Sequence, residues 1–258
     1  MDVDASPRTL NRTVSASRRG DGSQSRGEET KLRIVIAAIE IFADQGYEGA
    51  STRQLAARAG VNLASLTYYF DGKPSLYKAA LEHVIEKINQ VLRPNAERVE
   101  LLLATDSSVT LTKNALYQLL YVVIDQWADL HLGRTGRPWD KNWSKLMKRA
   151  EIDPPVDGTG LYQTTTALIL RPCSALIGQL LGKNPADEDC VLLAMSILGQ
   201  VSHFRPQRDG HVAASGWNEI TAERHKRLTE LFHRNVHAIL DAAVKDEHKS
   251  RRQSPGKK

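Results

Sequence analysis

Ser51-Thr52-Arg53-Gln54-Leu55-Ala56-Ala57-Arg58-Ala59-Gly60-Val61-Asn62-Leu63-Ala64-Ser65-Leu66-Thr67-Tyr68-Tyr69-Phe70 reads as two short helices around one tight turn. Ser51 and Gln54 have the spacing of a capping box, in which the hydroxyl accepts the Gln54 N–H and the Gln54 side chain returns to the Ser51 N–H. Leu55, Ala56 and Ala59 then share one face. Gly60 supplies the residue that most readily takes the left-handed conformation needed to end a helix. Val61 is placed to plug between the helices, and Asn62 can cap the second one. That helix, Leu63 to Phe70, is expected to bury Leu66 and Phe70 and to leave Ala64, Ser65, Thr67 and Tyr68 on its outer side. Small and hydroxyl side chains on an exposed second helix are the pattern of a helix-turn-helix reader, which approaches base edges and phosphates closely.

Upstream, Leu32, Ile36, Ile39 and Phe42, with Val35 and Ala43 beside them, recur at spacings of three and four and predict an amphipathic helix from Thr30 to Gly46. Residues 1–29 read as a disordered basic tail, with Arg8, Arg12, Arg18, Arg19 and Arg26 against Asp21. It is either an arm along a DNA groove or a solvated end. Downstream, Gly72-Lys73-Pro74 opens a fourth helix carried by Leu76, Ala80, Val84, Ile88 and Val91 to Arg93-Pro94. Helical periodicity continues through a short helix at 99–103 and longer ones at 111–132, 143–150, 161–181, 187–204 and 221–244. No strand alternation or internal repeat intervenes. The expectation is an all-α chain: a helix-turn-helix domain over 30–78, a helical body over 79–244, and a frayed basic tail over 245–258.

The 258 residues carry a net charge of +5, with 41% apolar and 25% charged residues, which is the composition of a globular protein with a mild basic excess. Cys173 and Cys190 stand far apart in apolar helical contexts, so no disulfide framework is implied and a reducing cytoplasm is the expected compartment. No apolar run reaches the roughly 18–20 residues of a membrane span.

Ile36-x2-Ile39-x2-Phe42-Ala43-x2-Gly46-Tyr47, then Thr52-x-Gln54-Leu55-Ala56-x2-Ala59-Gly60-Val61, then Leu66-x-Tyr68-Tyr69-Phe70 and Lys73-x2-Leu76 together resemble the TetR family of bacterial transcriptional regulators. The later Leu198-Gly199-Gln200-x3-Phe204-Arg205 and Gly216-Trp217 look like its CecR-type subgroup. Pro74 stands where an acidic residue is usual, and the Arg-rich arm is longer than most. The resemblance implies a homodimer on a palindromic double-stranded operator, released when a small molecule enters the helical body. In that scheme Thr52, Arg53 and Lys73 contact phosphates, helped by the helix dipole. Leu63, Ala64, Ser65 and Thr67 face the major groove, and Tyr68 and Tyr69 share a phosphate contact and a packing role. No side chain on this face is suited to bidentate base reading, which shifts weight to apolar contacts, water or DNA shape.

Other constellations bear on the body. Trp127, His131, Trp139 and Trp143 would line an effector pocket or simply pack. Arg171, before Pro172 in an apolar helix, calls for a partner: a dimer salt bridge or a pocket cation. His225, His233 and His237 share a helical face without a ligand set, so no metal or cofactor is expected. A helical enzyme using the C-terminal cavity is the competing reading, but no nucleophile–base pair, metal set or phosphate-cradling loop supports it.

Overall fold

The computed structural model describes residues 18–104, 111–132, 141–152, 159–204 and 214–253. Among them are nine helices and no strand: α1 (Arg18–Gly49), α2 (Thr52–Ala59), α3 (Leu63–Tyr69), α4 (Gly72–Ala104), α5 (Lys113–Leu132), α6 (Lys141–Ile152), α7 (Thr159–Leu181), α8 (Glu188–Ser202) and α9 (Ala222–Gln253). The chain divides into two compact units, Met1–Tyr77 and Lys78–Lys258, with the boundary inside α4.

In the first unit, α1 is interrupted at Gly46, whose φ of 76° ends the regular helix where the glycine is needed. Its buried stripe is Val35, Ala38, Ile39 and Phe42, together with Ile34, whereas Leu32 and Ile36 are exposed. Of the residues that the periodicity names, Val35, Ile39, Phe42 and Ala43 are buried, and Ile34 and Ala38 join them in place of Leu32 and Ile36. Phe42 and Tyr77 meet edge to face at 4.9 Å, and Tyr47 meets Tyr77 at 5.2 Å, closing the core over Leu55, Leu66 and Leu76.

The first and last helices both run past the ends expected from periodicity. The chain is helical from Arg18, so 18–29 is not an unstructured arm. A helix already nucleated by a packed segment extends one hydrogen bond per residue. At Gly27 an added methyl would lie 3.8 Å from the Tyr69 hydroxyl, so this extension runs beside α3. At the other end α9 continues to Gln253, well past Val244. Glu247 is tied to Lys183 at 2.9 Å, and no proline or glycine occurs before Pro255.

The second unit packs α5 against α7, α8 and α9, and α7 against α8 and α9. Leu120, Ile124, Cys173, Leu176, Ile177, Ala194, Ile197 and Leu240 are its innermost side chains. α4 does not stop at Arg93-Pro94 and no separate helix begins at Val99, because the helix passes through Pro94 to Ala104. Proline removes one N–H and pushes away the carbonyls of the preceding turn. That N–H would have met the Gln90 carbonyl; the next carbonyl, that of Val91, accepts from the Gln126 side-chain amide, which ties this turn to α5. The expected loops at 133–140, 153–158 and 205–213, with Trp139, lie outside the described residues.

Candidate nucleic-acid interface

The turn between α2 and α3 is built as its residues require. The Ser51 Oγ accepts the Gln54 N–H at 3.3 Å, and the Ser51 N–H donates to Gln54 Oε1 at 3.0 Å. Gly60 sits at φ 64°, ψ 36°, with its N–H donating to the Ala57 carbonyl, while the Val61 N–H donates to the Ala56 carbonyl at 3.0 Å. These paired bonds close the helix end in the glycine-dependent way. The Ser65 N–H donates to Asn62 Oδ1 at 2.7 Å, starting α3 one residue after the cap. Buried Leu66 and Phe70 press α3 onto the core, which aims the opposite side outward.

That outward side consists of Leu63, Ala64, Thr67 and Tyr68, all exposed, with Tyr68 at 83% and Leu63 at 44%. Ser65 is half-buried beside the cap. Tyr69 is half-buried too and packs edge to face on Tyr68 at 5.1 Å, so the two tyrosines occupy different environments. The Thr67 hydroxyl donates back into its own helix, 3.0 Å from the Ala64 carbonyl and 3.2 Å from that of Leu63.

Neither α2 nor α3 contains an acidic residue. Arg58 is spent on Glu40 of α1, but Arg53 is exposed and has no ion pair among the described residues. Thr52, half-exposed, begins α2, where unpaired N–H groups favour an anion. Lys73 Nζ is 4.4 Å from the centre of the Tyr47 ring and 3.5 Å from the Glu48 carbonyl, a loose seat that leaves the ammonium free to reach a phosphate.

In the body, Trp127 and His131 come together at a ring separation of 4.0 Å. The Trp127 indole N–H donates to the Leu198 carbonyl and lies 3.2 Å from the Ser202 hydroxyl, and His131 Nδ1 is 2.9 Å from the Trp127 carbonyl. Trp143 is half-exposed on α6. Arg171 is exposed on α7, so burial imposes no counter-ion on it. Two open grooves exist elsewhere in this unit. One of about 440 Å³ lies between α4 and α5 and is lined by Arg98, Val99, Leu102, Leu119 and Val122. The other, of about 580 Å³, is bordered by Lys183, Leu192, Ser196 and Glu247. Neither is lined by Trp127, His131, Trp143 or Arg171.

Sequence reading noticed three of the histidines but missed what faces them. Lys113, Tyr117, Tyr121 and Asp129 on α5 oppose Asp241, His237, His233 and His225 on α9 in one constant antiparallel register. Asp125 meets His233 at 2.6 Å. The four-residue spacing on both helices was the available signal. Among the described residues no group of three or more His, Cys, Asp or Glu is arranged to hold a metal ion. Both cysteines are fully buried, and burial pushes the Cys173 thiol up to about 12.

With the capped turn and its open face in place, residues 34–80 match the family described as bacterial regulatory proteins, tetR family. Residues 34–80 form a TetR-family domain. This match spans every residue from Thr52 to Lys73 considered above. Residues 119–243 match a second description, the C-terminal domain of the HTH-type transcriptional dual regulator CecR. The CecR protein of Shigella flexneri is 26% identical over 220 residues, covering 84% of this chain and 92% of its own length. The probable HTH-type regulator YttP of Bacillus subtilis (strain 168) is 30% identical over 95 residues, covering 37% of this chain and 42% of its own length, so that likeness concerns less than half of either protein. A solved structure of a putative transcriptional regulator from Pseudomonas aeruginosa PAO1 shares the fold, with a TM-score of 0.56, 19% identity, and coverage of 85% of this chain and 94% of that one. Residues 34–80 thus carry a TetR-family helix-turn-helix, and the chain is similar to a transcriptional regulator over most of its length. No described helix is long and apolar enough to cross a membrane.

Proposed function

We propose that the protein is a homodimeric repressor that holds a palindromic operator through α3 and leaves it when a small molecule binds the helical unit. The observation that carries this reading is the capped turn itself: it fixes α3 with Leu63, Ala64, Thr67 and Tyr68 open, flanked by the exposed cation of Arg53 and by Lys73, loosely seated over Tyr47. Thr52, Arg53, Tyr69 and Lys73 position the duplex by its phosphates, while Leu63, Ala64, Thr67 and Tyr68 address the groove and Ser65 stays half-buried beside the cap.

Dimerisation is supported by α8, where Leu192 and Met195 are 54% and 55% exposed beside the exposed Ser196 and Gly199. A second copy of this face would cover both apolar side chains, and Gly199 leaves room for close helix approach. For the effector we favour Trp127 and His131, an aromatic wall reaching the Ser202 hydroxyl, with Trp143 on the neighbouring α6. Arg171 enters this reading as an exposed cation available to an acidic group. The cytoplasm, where chromosomal DNA is accessible, is the compartment this function requires.

The test is binding-site selection with the purified full chain, followed by fluorescence anisotropy on the recovered duplex. Binding should weaken steeply with salt and be lost when Thr67 and Lys73 are both changed to Ala. Unchanged binding by that double variant would sink the assignment of this face. Quenching of Trp127 emission by a compound that also releases DNA would identify the effector site, with Trp127→Phe as the control.

A further inference from the structure

The exposed face of α3 has an unusual inventory for a base-reading helix. Leu63 and Ala64 have no polar side-chain atom. Thr67 has already given its only hydroxyl proton to the Ala64 and Leu63 carbonyls, so toward a groove it offers a methyl group and an oxygen lone pair. Tyr68 provides the face's one hydroxyl still able to donate from a side chain, at its C-terminal end. Ser65 lies off the face, half-buried at the cap.

Guanine is read in the major groove by donors aimed at O6 and N7, normally from Arg or Lys, and thymine by apolar contact with its C5-methyl group. We propose that α3 recognises thymine methyl groups, so that the base pairs under Leu63, Ala64 and Thr67 are A·T pairs. This rests on the DNA-binding reading above. Leu63, almost half exposed, is a large apolar side chain projecting from a helix whose neighbours Arg53 and Lys73 are cationic, and a surface of that kind matches a groove that is anionic at its rims and methyl-lined at its floor. A T·A pair also answers Thr67 on both counts, because its methyl can pack on the C5-methyl while its oxygen accepts from the adenine N6 amine of the same pair.

Deoxyuridine is the probe, since it differs from thymidine by that one methyl group. In the duplex recovered by selection with the full-length protein, each thymine is replaced symmetrically in both half-sites and affinity is measured by anisotropy. Loss of one buried methyl is expected to cost about fourfold per half-site, or roughly fifteenfold for the pair. Leu63→Ala, an exposed truncation that leaves the core alone, should weaken binding and lose the deoxyuridine effect at its own position. Thr67→Val should likewise erase the penalty of replacing the facing adenine by purine, which lacks the N6 amine. Binding that is indifferent to deoxyuridine throughout, or blocked by N7 methylation of guanines at the centre of each half-site, would overturn the thymine reading while leaving DNA binding intact. Failure to recover any duplex would instead overturn the proposed function, and this inference with it.

Discussion

The Tyr117 hydroxyl on α5 donates to Asp241 Oδ1 on α9 at 2.9 Å, and the same carboxylate oxygen receives Lys113 at 2.8 Å. Those two bonds, the Lys113 one first, hold the Asp241 carboxyl below its ordinary 3.8. The unfolded chain then takes up the proton more readily than the folded one, so the stabilisation is complete above 3.8 and fades as pH falls through the lower folded value. Asp241→Asn should therefore lower the Tm at neutral pH, with the gap to the parent closing below about pH 4. Burial first, and Asp241 second, push the Tyr117 hydroxyl above its ordinary 10.0, so this contribution is lost as pH rises beyond that value. Tyr117→Phe should cost about 1 kcal/mol by urea denaturation at neutral pH.

The Gln126 side-chain amide ties the Val91 carbonyl of α4 to α5, and Gln126→Leu should cost about 1–3 kcal/mol by chemical denaturation. The carbonyl that Pro94 leaves without a donor is that of Gln90, four residues back, so Pro94→Ala should restore that bond without altering the Gln126→Leu penalty. A double-mutant cycle reads the difference, and a penalty that shrinks in the Pro94→Ala background would couple Gln126 to the proline.

Nothing lies within 4 Å of a methyl group built on Gly60, so Gly60→Ala tests backbone conformation alone. At φ +64° the expected loss is about 1–2 kcal/mol, with weaker operator binding. Gly60→Asn should recover part of both, because Asn tolerates the left-handed region.

Leu192→Glu and Met195→Glu place charge on the exposed apolar side of α8. Sedimentation velocity should show both variants as monomers with unchanged helicity, and operator binding should fall with the loss of paired half-sites. Dimers of normal stability would rule this face out as the contact.

Cys173 and Cys190 have no solvent exposure, and burial raises both thiols, so neither is available as thiolate at neutral pH. Disulfide-exchange reagents should react with both only at the rate of unfolding, and rapid labelling of the folded protein would contradict the packing around them.

The sequence by itself determined what depends on neighbours a few residues apart. Ser51 with Gln54, Gly60 at the helix end and Asn62 at the next start are local hydrogen-bonding and backbone choices, and each forms as its residue type requires. The all-α class was legible for the same reason, since helical hydrogen bonds close within four residues. Tertiary structure decided what depends on partners far along the chain. It left Leu32 and Ile36 exposed and added Ile34 and Ala38 to the Val35, Ile39, Phe42 and Ala43 that periodicity named, because the buried face is the one its neighbours cover. It carried α4 through Pro94 in a turn tied to α5 by Gln126, and α9 to Gln253 with Glu247 anchored on Lys183. The Thr67 hydroxyl proton, by contrast, is consumed locally, by carbonyls three and four residues back within α3, which leaves a methyl group and an accepting oxygen for a partner. A side chain's type lists the bonds it can make; its surroundings in the folded chain decide which are already used and which remain for a partner.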